Sequence, residues 1–340
     1  MRLVMTGLDH KLANLGVREK FAPTKERMGR MLTAIKARGN IGGCVIISTC
    51  NRTELYASVV GDVKYEPTLT LCEALGRDFR EHMLYFTERA GEQVIEHLCR
   101  VASGLDSQIV GDDQIVTQVR EAVEFSREHN CMDCYLETVF ATAVKAAKSI
   151  KTNVILKTLG SGSVPEKVIE KLAAIYPPAG RNAVVIGNGQ MGRYVGELLI
   201  REGANVTVTL REYKKGVIQV PEGAATIRYS ERYKAIEGAE IVVSATTSPH
   251  FTLHHGDMQG LARLPEIIMD LAVPRDVEPS IGGIPGVTLL SIDEISEDSR
   301  VLPPESIAKI DEIIWENVEK YNRWLLFKIN TAPVAVGGIL

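Results

Sequence analysis

A strand that runs directly into a glycine ladder and out into a helix constrains this chain more than any other feature. Asn182-Ala183-Val184-Val185-Ile186 is a buried-type strand. Gly187-Asn188-Gly189-Gln190-Met191-Gly192 follows without a gap, Arg193 to Glu202 reads as a helix, and Asn205 to Leu210 reads as a second strand. A bare G-x-G-x-x-G is a weak signal, but one that completes a β-α-β unit is strong. Its first glycine permits the tight turn, its second lets a pyrophosphate approach backbone amides, and its third lets helix and strand pack closely. Ile241 to Thr246 and Ile267 to Ala272 read as two further core strands, so the expectation is a doubly wound, Rossmann-type α/β sheet.

The cofactor-binding residues expected from this pattern are Gly187, Asn188, Gly189, Gln190, Met191, Gly192 and Arg211. Arg211 ends the second strand where an NAD enzyme typically carries an acid for the ribose. With Lys214 and Lys215 beyond it, it favours a 2′-phosphate and hence NADPH, while Glu212 opposes that choice by repulsion.

Ahead of this unit the chain alternates short strands and amphipathic helices. A strand is expected from Leu3 to Leu8, a helix from Thr24 to Arg38, a helix from Thr68 to Arg80 and a strand from Met83 to Thr87. That order predicts a small α+β sandwich with helices on one sheet face. Between its strands the apolar run Cys44-Val45-Ile46-Ile47 breaks into Ser48-Thr49-Cys50-Asn51-Arg52-Thr53-Glu54 and resumes at Leu55. Two strands joined by a short turn would put Cys50 at an exposed tip. A cysteine ionises near pH 8.5, and a guanidinium two residues away favours the thiolate, the form that attacks carbonyls. The same spacing also suits a buried strand-end cysteine beside a solvated arginine.

From Gly91 to Asn153 the apolar positions recur at helical intervals, as in Ile115, Val119 and Val123, then Val139, Ala143 and Ala147. The polar stretch from Ser103 to Gln114 interrupts them and is expected to set polar groups at helix ends facing a cleft. Asp112 and Asp113 suit either acid/base work or a helix start, and Gln114 and Gln118 share one helical face. After Pro303-Pro304 a long helix is expected from Glu305 to Lys328. Ile307, Ile310, Ile314, Val318, Tyr321 and Leu325 stripe it as a strut or an oligomer contact, and Thr331 to Leu340 is expected to fray.

Composition narrows the class. The 340 residues are 45% hydrophobic and 24% charged, ordinary for a globular protein of two or three domains. Six scattered cysteines do not make a disulfide scaffold, and Cys131-Met132-Asp133-Cys134 lacks a second ligand pair for zinc. A net charge of −4 gives no global footprint for nucleic acid, although Lys145, Lys148 and Lys151 could line one helix face. No long apolar span and no signal-type opening are present, so no membrane association and a cytoplasmic location are expected.

Taken together, several landmarks resemble the glutamyl-tRNA reductase family over nearly the whole chain. They are Gly7-Leu8-Asp9-His10-Lys11 with Arg18-Glu19-Lys20, Ser48 to Glu54 with Tyr56, His97-Leu98 leading into Val101 to Ser107, Gly187 to Gly192, and Asp270-Leu271-Ala272-Val273-Pro274-Arg275-Asp276. The resemblance implies three parts: a catalytic, glutamyl-tRNA-binding domain over 1–150, an NADP-binding domain over 151–300, and a helical dimerisation segment over 301–340. It implies NADPH-dependent reduction of glutamyl-tRNA(Glu) to glutamate 1-semialdehyde through a thioester on Cys50, the first step of tetrapyrrole synthesis. His97 would act as proton donor or hydrogen-bond orienter. Thr49, Asn51, Arg52, Ser107, Asp112, Asp113, Gln114 and Gln118 would hold the glutamyl group, with Arg52 on its carboxylate. A homodimer and an aminomutase that receives the product are the implied partners. Hydride transfer between two domains needs closure, expected about Lys151 to Gly162.

The chain departs from the family pattern in four places. Gly111-Asp112-Asp113-Gln114 stands for Gly-Glu-Pro-Gln, Lys151-Thr152-Asn153-Val154 for Arg-Thr-Glu-Thr, Leu210-Arg211-Glu212 for the usual Asn-Arg-Thr, and the dimerisation region is short. The first departure keeps open a relative that reduces another aminoacyl ester or thioester. A non-catalytic tRNA-binding regulator is the other alternative.

Overall fold

A computed structural model describes residues 1–108, 114–154, 163–211, 219–296 and 302–331. Two sheets organise it. Strands β1 (Arg2–Asp9), β2 (Ile41–Ser48), β3 (Arg52–Val59) and β4 (Thr87–Ala90) form an antiparallel sheet in the order β2-β3-β1-β4. Strands β5 (Asn182–Ile186), β6 (Asn205–Leu210), β7 (Ala225–Arg228), β8 (Ile241–Ser244), β9 (Ile267–Asp270) and β10 (Thr288–Ser291) form a parallel sheet in the order β10-β9-β8-β5-β6-β7. The order reverses between β5 and β8, which opens a crevice at the carboxyl end of β5, where the glycine ladder begins.

The first sheet is covered on both faces, not on one as expected. Leu3, Met5, Val45, Ile47 and Tyr56 pack against the helices Glu92–Ala102, Gln114–Glu128, Cys134–Asn153 and Pro304–Thr331. Val4, Cys44, Ile46, Leu55 and Ala57 pack on the other side against the helices Lys25–Lys36 and Pro67–Ala74. The reason is legible in β2, whose Cys44-Val45-Ile46-Ile47 is apolar in both parities; a strand buried on both faces reads as a continuous run, not an alternation. Every residue of β3 is buried.

Two expected elements are placed differently. The helix expected to reach Arg80 stops at Ala74, because Gly76 adopts φ +57 and the Arg77 N–H turns back to the Cys72 carbonyl. Asp78 then caps a separate short helix, Phe79–His82. The strand expected over Met83 to Thr87 begins only at Thr87. Met83–Tyr85 is a 3-10 turn that leaves Leu84 84% exposed, so an apolar cluster there marks no strand.

The long terminal helix, Pro304–Thr331, is neither free-standing nor purely an oligomer contact. Ile310, Ile314, Val318 and Tyr321 join the core of the first unit, although its sequence neighbour is the second. Ile307 is exposed.

Candidate active site

Pairing of β2 with β3 runs to Ser48 opposite Thr53, and the Thr49 N–H closes the hairpin on the Arg52 carbonyl at 2.9 Å. Cys50 and Asn51 are therefore the two tip residues. The Thr49 hydroxyl steadies the tip by accepting the Asn51 N–H at 3.2 Å. Cys50 carries no disulfide and is half-buried, because it packs against the core of the second unit rather than pointing into solvent. Its carbonyl accepts Arg18 Nε at 3.1 Å.

Behind the tip, β3 carries Arg52, Glu54 and Tyr56 at intervals of two, hence on one face. Glu54 joins them all: Oε1 accepts Arg52 Nη1 at 2.7 Å and His97 Nε2 at 2.9 Å, and Oε2 accepts the Tyr56 hydroxyl at 2.6 Å. Burial alone would raise the Glu54 carboxyl, but the Arg52 guanidinium, then His97 and the hydrogen bonds of His97 and Tyr56, hold it well below the usual carboxylate range. A carboxylate only accepts, so Nε2 of His97 bears the hydrogen, while Nδ1 lies 4.0 Å from Asp106 Oδ2.

Arg52 is 1% exposed and gives Nη2 to the Asp106 carbonyl at 2.5 Å. The charge that the sequence set beside the thiol is thus already neutralised by Glu54. An incoming carboxylate would have to share a guanidinium that is committed on two sides. Asp106 is in turn bridged by Lys11 at 2.7 Å.

Three buried polar atoms around the tip have no hydrogen-bond partner among the described residues: His10 Nδ1, Asn51 Oδ1 and Gln108 Oε1. The His10 N–H donates to the Asn51 carbonyl at 2.9 Å, which joins the first two in one neighbourhood. Burial, reinforced by the charges of Arg52, Lys11 and Arg18 and opposed by Asp9, lowers the His10 imidazole to about 4 and keeps it neutral at pH 7. Orphaned buried polar groups cost about 1–3 kcal/mol each, a cost that substrate hydrogen bonds would relieve. Ser107 and Gln118 are half-buried, and Gln114 opens its helix. Asp112 and Asp113 lie outside the described residues, as do residues 155–162 of the expected closure segment.

The glycine ladder fits a dinucleotide. Gly187 has φ +107, and a Cβ there would sit 2.5 Å from the Ala245 carbonyl; at Gly192 it would sit 2.0 Å from the Gly187 carbonyl. Gly189 meets nothing within 4 Å, so its open side is available to a close-approaching ligand. It caps the helix Gln190–Arg201 without a side-chain acceptor, and Gln190, Met191 and Gly192 form the first turn, which begins three residues before the expected Arg193. Asn188 Oδ1 and Arg193 Nε are also buried without partners among the described residues. Arg211 stacks 4.8 Å from the Tyr229 ring centroid at the rim of the same pocket, which Thr209 and Thr246 also line. Glu212, Lys214 and Lys215 lie outside the described residues.

The two units touch through charges of opposite sense. Arg18 grips Asp293 through Nη2–Oδ1 at 2.6 Å and Nη1–Oδ2 at 3.1 Å, and Gln108 Nε2 joins at 3.0 Å. Glu19 receives the Arg275 side chain at 2.7 and 2.8 Å and its backbone N–H at 2.7 Å. Reading the sequence alone left Glu54, Asp106 and Asp293 without roles. The signal for Glu54 was present, since Arg52-x-Glu54-x-Tyr56 sets three polar groups on one face of a buried strand. No local signal marks Asp293.

A family model described as glutamyl-tRNAGlu reductase, N-terminal domain, matches residues 6–154, and one described as shikimate / quinate 5-dehydrogenase matches residues 166–297. The chain is 39% identical to the glutamyl-tRNA reductase of Alkaliphilus oremlandii over 96% of this chain and 98% of that protein. It is equally identical, with the same coverage, to the one from Acetivibrio thermocellus. The solved glutamyl-tRNA reductase from Methanopyrus kandleri is 27% identical, covering 95% of this chain and 80% of that one at a TM-score of 0.49. With 39% identity to the Alkaliphilus and Acetivibrio proteins running almost end to end through both the thiol hairpin and the dinucleotide unit, the chain belongs to the glutamyl-tRNA reductase family.

Proposed function

We propose that the chain reduces glutamyl-tRNA(Glu) to glutamate 1-semialdehyde, the first step of tetrapyrrole synthesis, with Cys50 as the nucleophile. The observation that carries this reading is the position of Cys50: it stands at a hairpin tip above the buried Glu54 network and packs on the core of the dinucleotide-binding unit. The Cys50 thiolate attacks the ester carbonyl carbon; the C–S bond forms, the C–O bond to the terminal ribose breaks, and the tRNA leaves as its hydroxyl after taking a proton. A reduced nicotinamide dinucleotide held by Gly187 to Gly192 would supply the hydride that the thioester carbon takes up. As the C–S bond breaks, Cys50 regains its thiolate and the aldehyde is released.

The surrounding residues bind and orient. His97 gives its Nε2–H to Glu54 and has Nδ1 4.0 Å from Asp106 Oδ2, so it acts as the hydrogen-bond orienter when neutral and as a proton donor through Nδ1 only when that nitrogen is also protonated. Thr49, Asn51, Ser107, Gln114 and Gln118 frame the glutamyl group, together with Asp112 and Asp113. Asn51 Oδ1 offers an acceptor that has no partner among the described residues. Arg52 contributes its remaining N–H groups to the substrate carboxylate, while Glu54 holds the guanidinium in place.

The cofactor is NADPH in this reading: Arg211, stacked on Tyr229, places a guanidinium beyond β6, where a 2′-phosphate would lie. Gly187 to Gly192 hold the pyrophosphate. The chain divides near residues 150 and 300, acts in the cytoplasm as a homodimer, and passes its reactive aldehyde to an aminomutase. No helix among the described residues is long and apolar enough to cross a membrane.

The test is semialdehyde formation from glutamyl-tRNA and NADPH, with mass spectrometric detection of a labelled glutamyl adduct on Cys50. Cys50→Ser is expected to lose turnover by about 10³-fold or more while retaining cofactor affinity. Native-rate turnover by the serine variant would overturn the reading.

A further inference from the structure

The guanidinium of Arg18 links the nucleophile's own residue to the opposite unit. Its side chain is 3% exposed and makes four bonds: Nε to the Cys50 carbonyl, Nη1 to the Ala13 carbonyl at 3.1 Å and to Asp293 Oδ2, and Nη2 to Asp293 Oδ1. Asp293 belongs to the helix Ile292–Ser296 directly after β10, and Gln108 from the first unit joins the same carboxylate. Burial works to raise this carboxyl, but Arg18 and Gln108 hold it below its ordinary value, so the pair is charged at neutral pH. One residue on, Glu19 takes a forked contact from Arg275 in the loop after β9. Because the two bridges have opposite polarity, a slip by one residue would set Arg18 against Arg275 in one direction and Glu19 against Asp293 in the other. The pattern therefore fixes one register between the units.

We propose that Arg18 is a positioning residue for the reduction step: it ties the Cys50 carbonyl to Asp293, and with the Glu19–Arg275 clamp it presents acylated Cys50 to the dinucleotide unit in a single orientation. This rests on the Cys50 thioester reading. Acylation draws only on residues of the first unit around the hairpin tip, whereas hydride transfer requires an approach of about 3–3.5 Å between groups carried on different units. Loosening the clamp should therefore slow the second step and spare the first.

The experiment is single-turnover kinetics on the full chain with labelled glutamyl-tRNA. Release of tRNA reports acylation. Addition of NADPH then reports the partition of the thioester between semialdehyde and hydrolysed glutamate. For Asp293→Asn, acylation is expected within about twofold of the parent, and reduction is expected to fall roughly 10- to 100-fold, with free glutamate rising correspondingly and NADPH affinity unchanged. Arg275→Glu is expected to behave likewise, and the swap Glu19→Arg with Arg275→Glu to recover most of that loss, which a general folding defect would not do. An unchanged reduction step in Asp293→Asn, or equal slowing of both steps, overturns the clamp while leaving the thioester reading intact. Absence of a Cys50 adduct in the parent enzyme overturns both.

Discussion

Glu54 holds Arg52, His97 and Tyr56 with one carboxylate, at 2% exposure. Removing one partner of a buried pair leaves the other charge uncompensated, which costs more than the pair contributes when intact. Glu54→Gln is therefore expected to destabilise the fold by about 3–5 kcal/mol and to abolish turnover; denaturant midpoints and a semialdehyde assay check this. His10 carries a second prediction, in pH. Its ordinary value of 6.5 falls to about 4 in the fold, so between those values the unfolded chain binds a proton that the folded one refuses. Stability contributed by this residue is present above about 6.5 and declines as pH falls toward 4. His10→Gln should flatten that part of the stability profile by about 1 kcal/mol, a figure reduced to allow for the part-exposed ring; urea unfolding across the window tests it. Neither role can be read from residue type, because an isolated His or Glu in a sequence carries no statement of what will surround it.

At the scale of elements, the glycine ladder separates folding from binding. Gly192→Ala would drive a methyl group against the Gly187 carbonyl, and should cost about 1–3 kcal/mol together with cofactor affinity. Gly189→Ala meets no protein atom, so its melting temperature should hold while cofactor affinity drops, because the methyl occupies the side from which a pyrophosphate approaches. Thermal melts paired with NADPH titration distinguish the two variants; parallel losses in both would remove the assignment of Gly189 to the ligand side. This unit was legible apart from its helix start, which lies at Gln190 and not at Arg193, because strand, turn and helix are contiguous and Gly187 and Gly192 answer local steric demands. The break after Ala74 was legible too, though easily missed. Gly76-Arg77-Asp78 contains a helix stop and a new helix cap in three residues, and it interrupts an apolar period that otherwise continues.

For the molecule as a whole, the terminal helix closes the first core and still has apolar surface to spare. Trp315, Leu326 and Ile329 are 59%, 60% and 57% exposed, and their spacings of about 11 and 14 residues align them on one helical stripe. Under the proposed dimer, a second copy of this helix is the expected occupant of that stripe. Leu326→Lys with Ile329→Lys is expected to shift the protein to monomer in light scattering with little change in its unfolding midpoint. A persistent dimer would place the contact elsewhere.

What the sequence determined by itself is everything encoded by neighbours along the chain. That includes the β-α-β unit, the thiol at the turn between two strands, the helical periods, and the length of the last helix to within a few residues. Tertiary structure decided which charges meet. Arg18 and Asp293 are 275 positions apart, and Glu19 and Arg275 are 256 apart. It also decided that His97 would join Glu54 from 43 residues away, and that the last helix would dock on the first unit rather than stand apart. Periodicity states which face of an element is buried but not against what. Electrostatic pairing depends on distance in space, which the one-dimensional pattern does not contain.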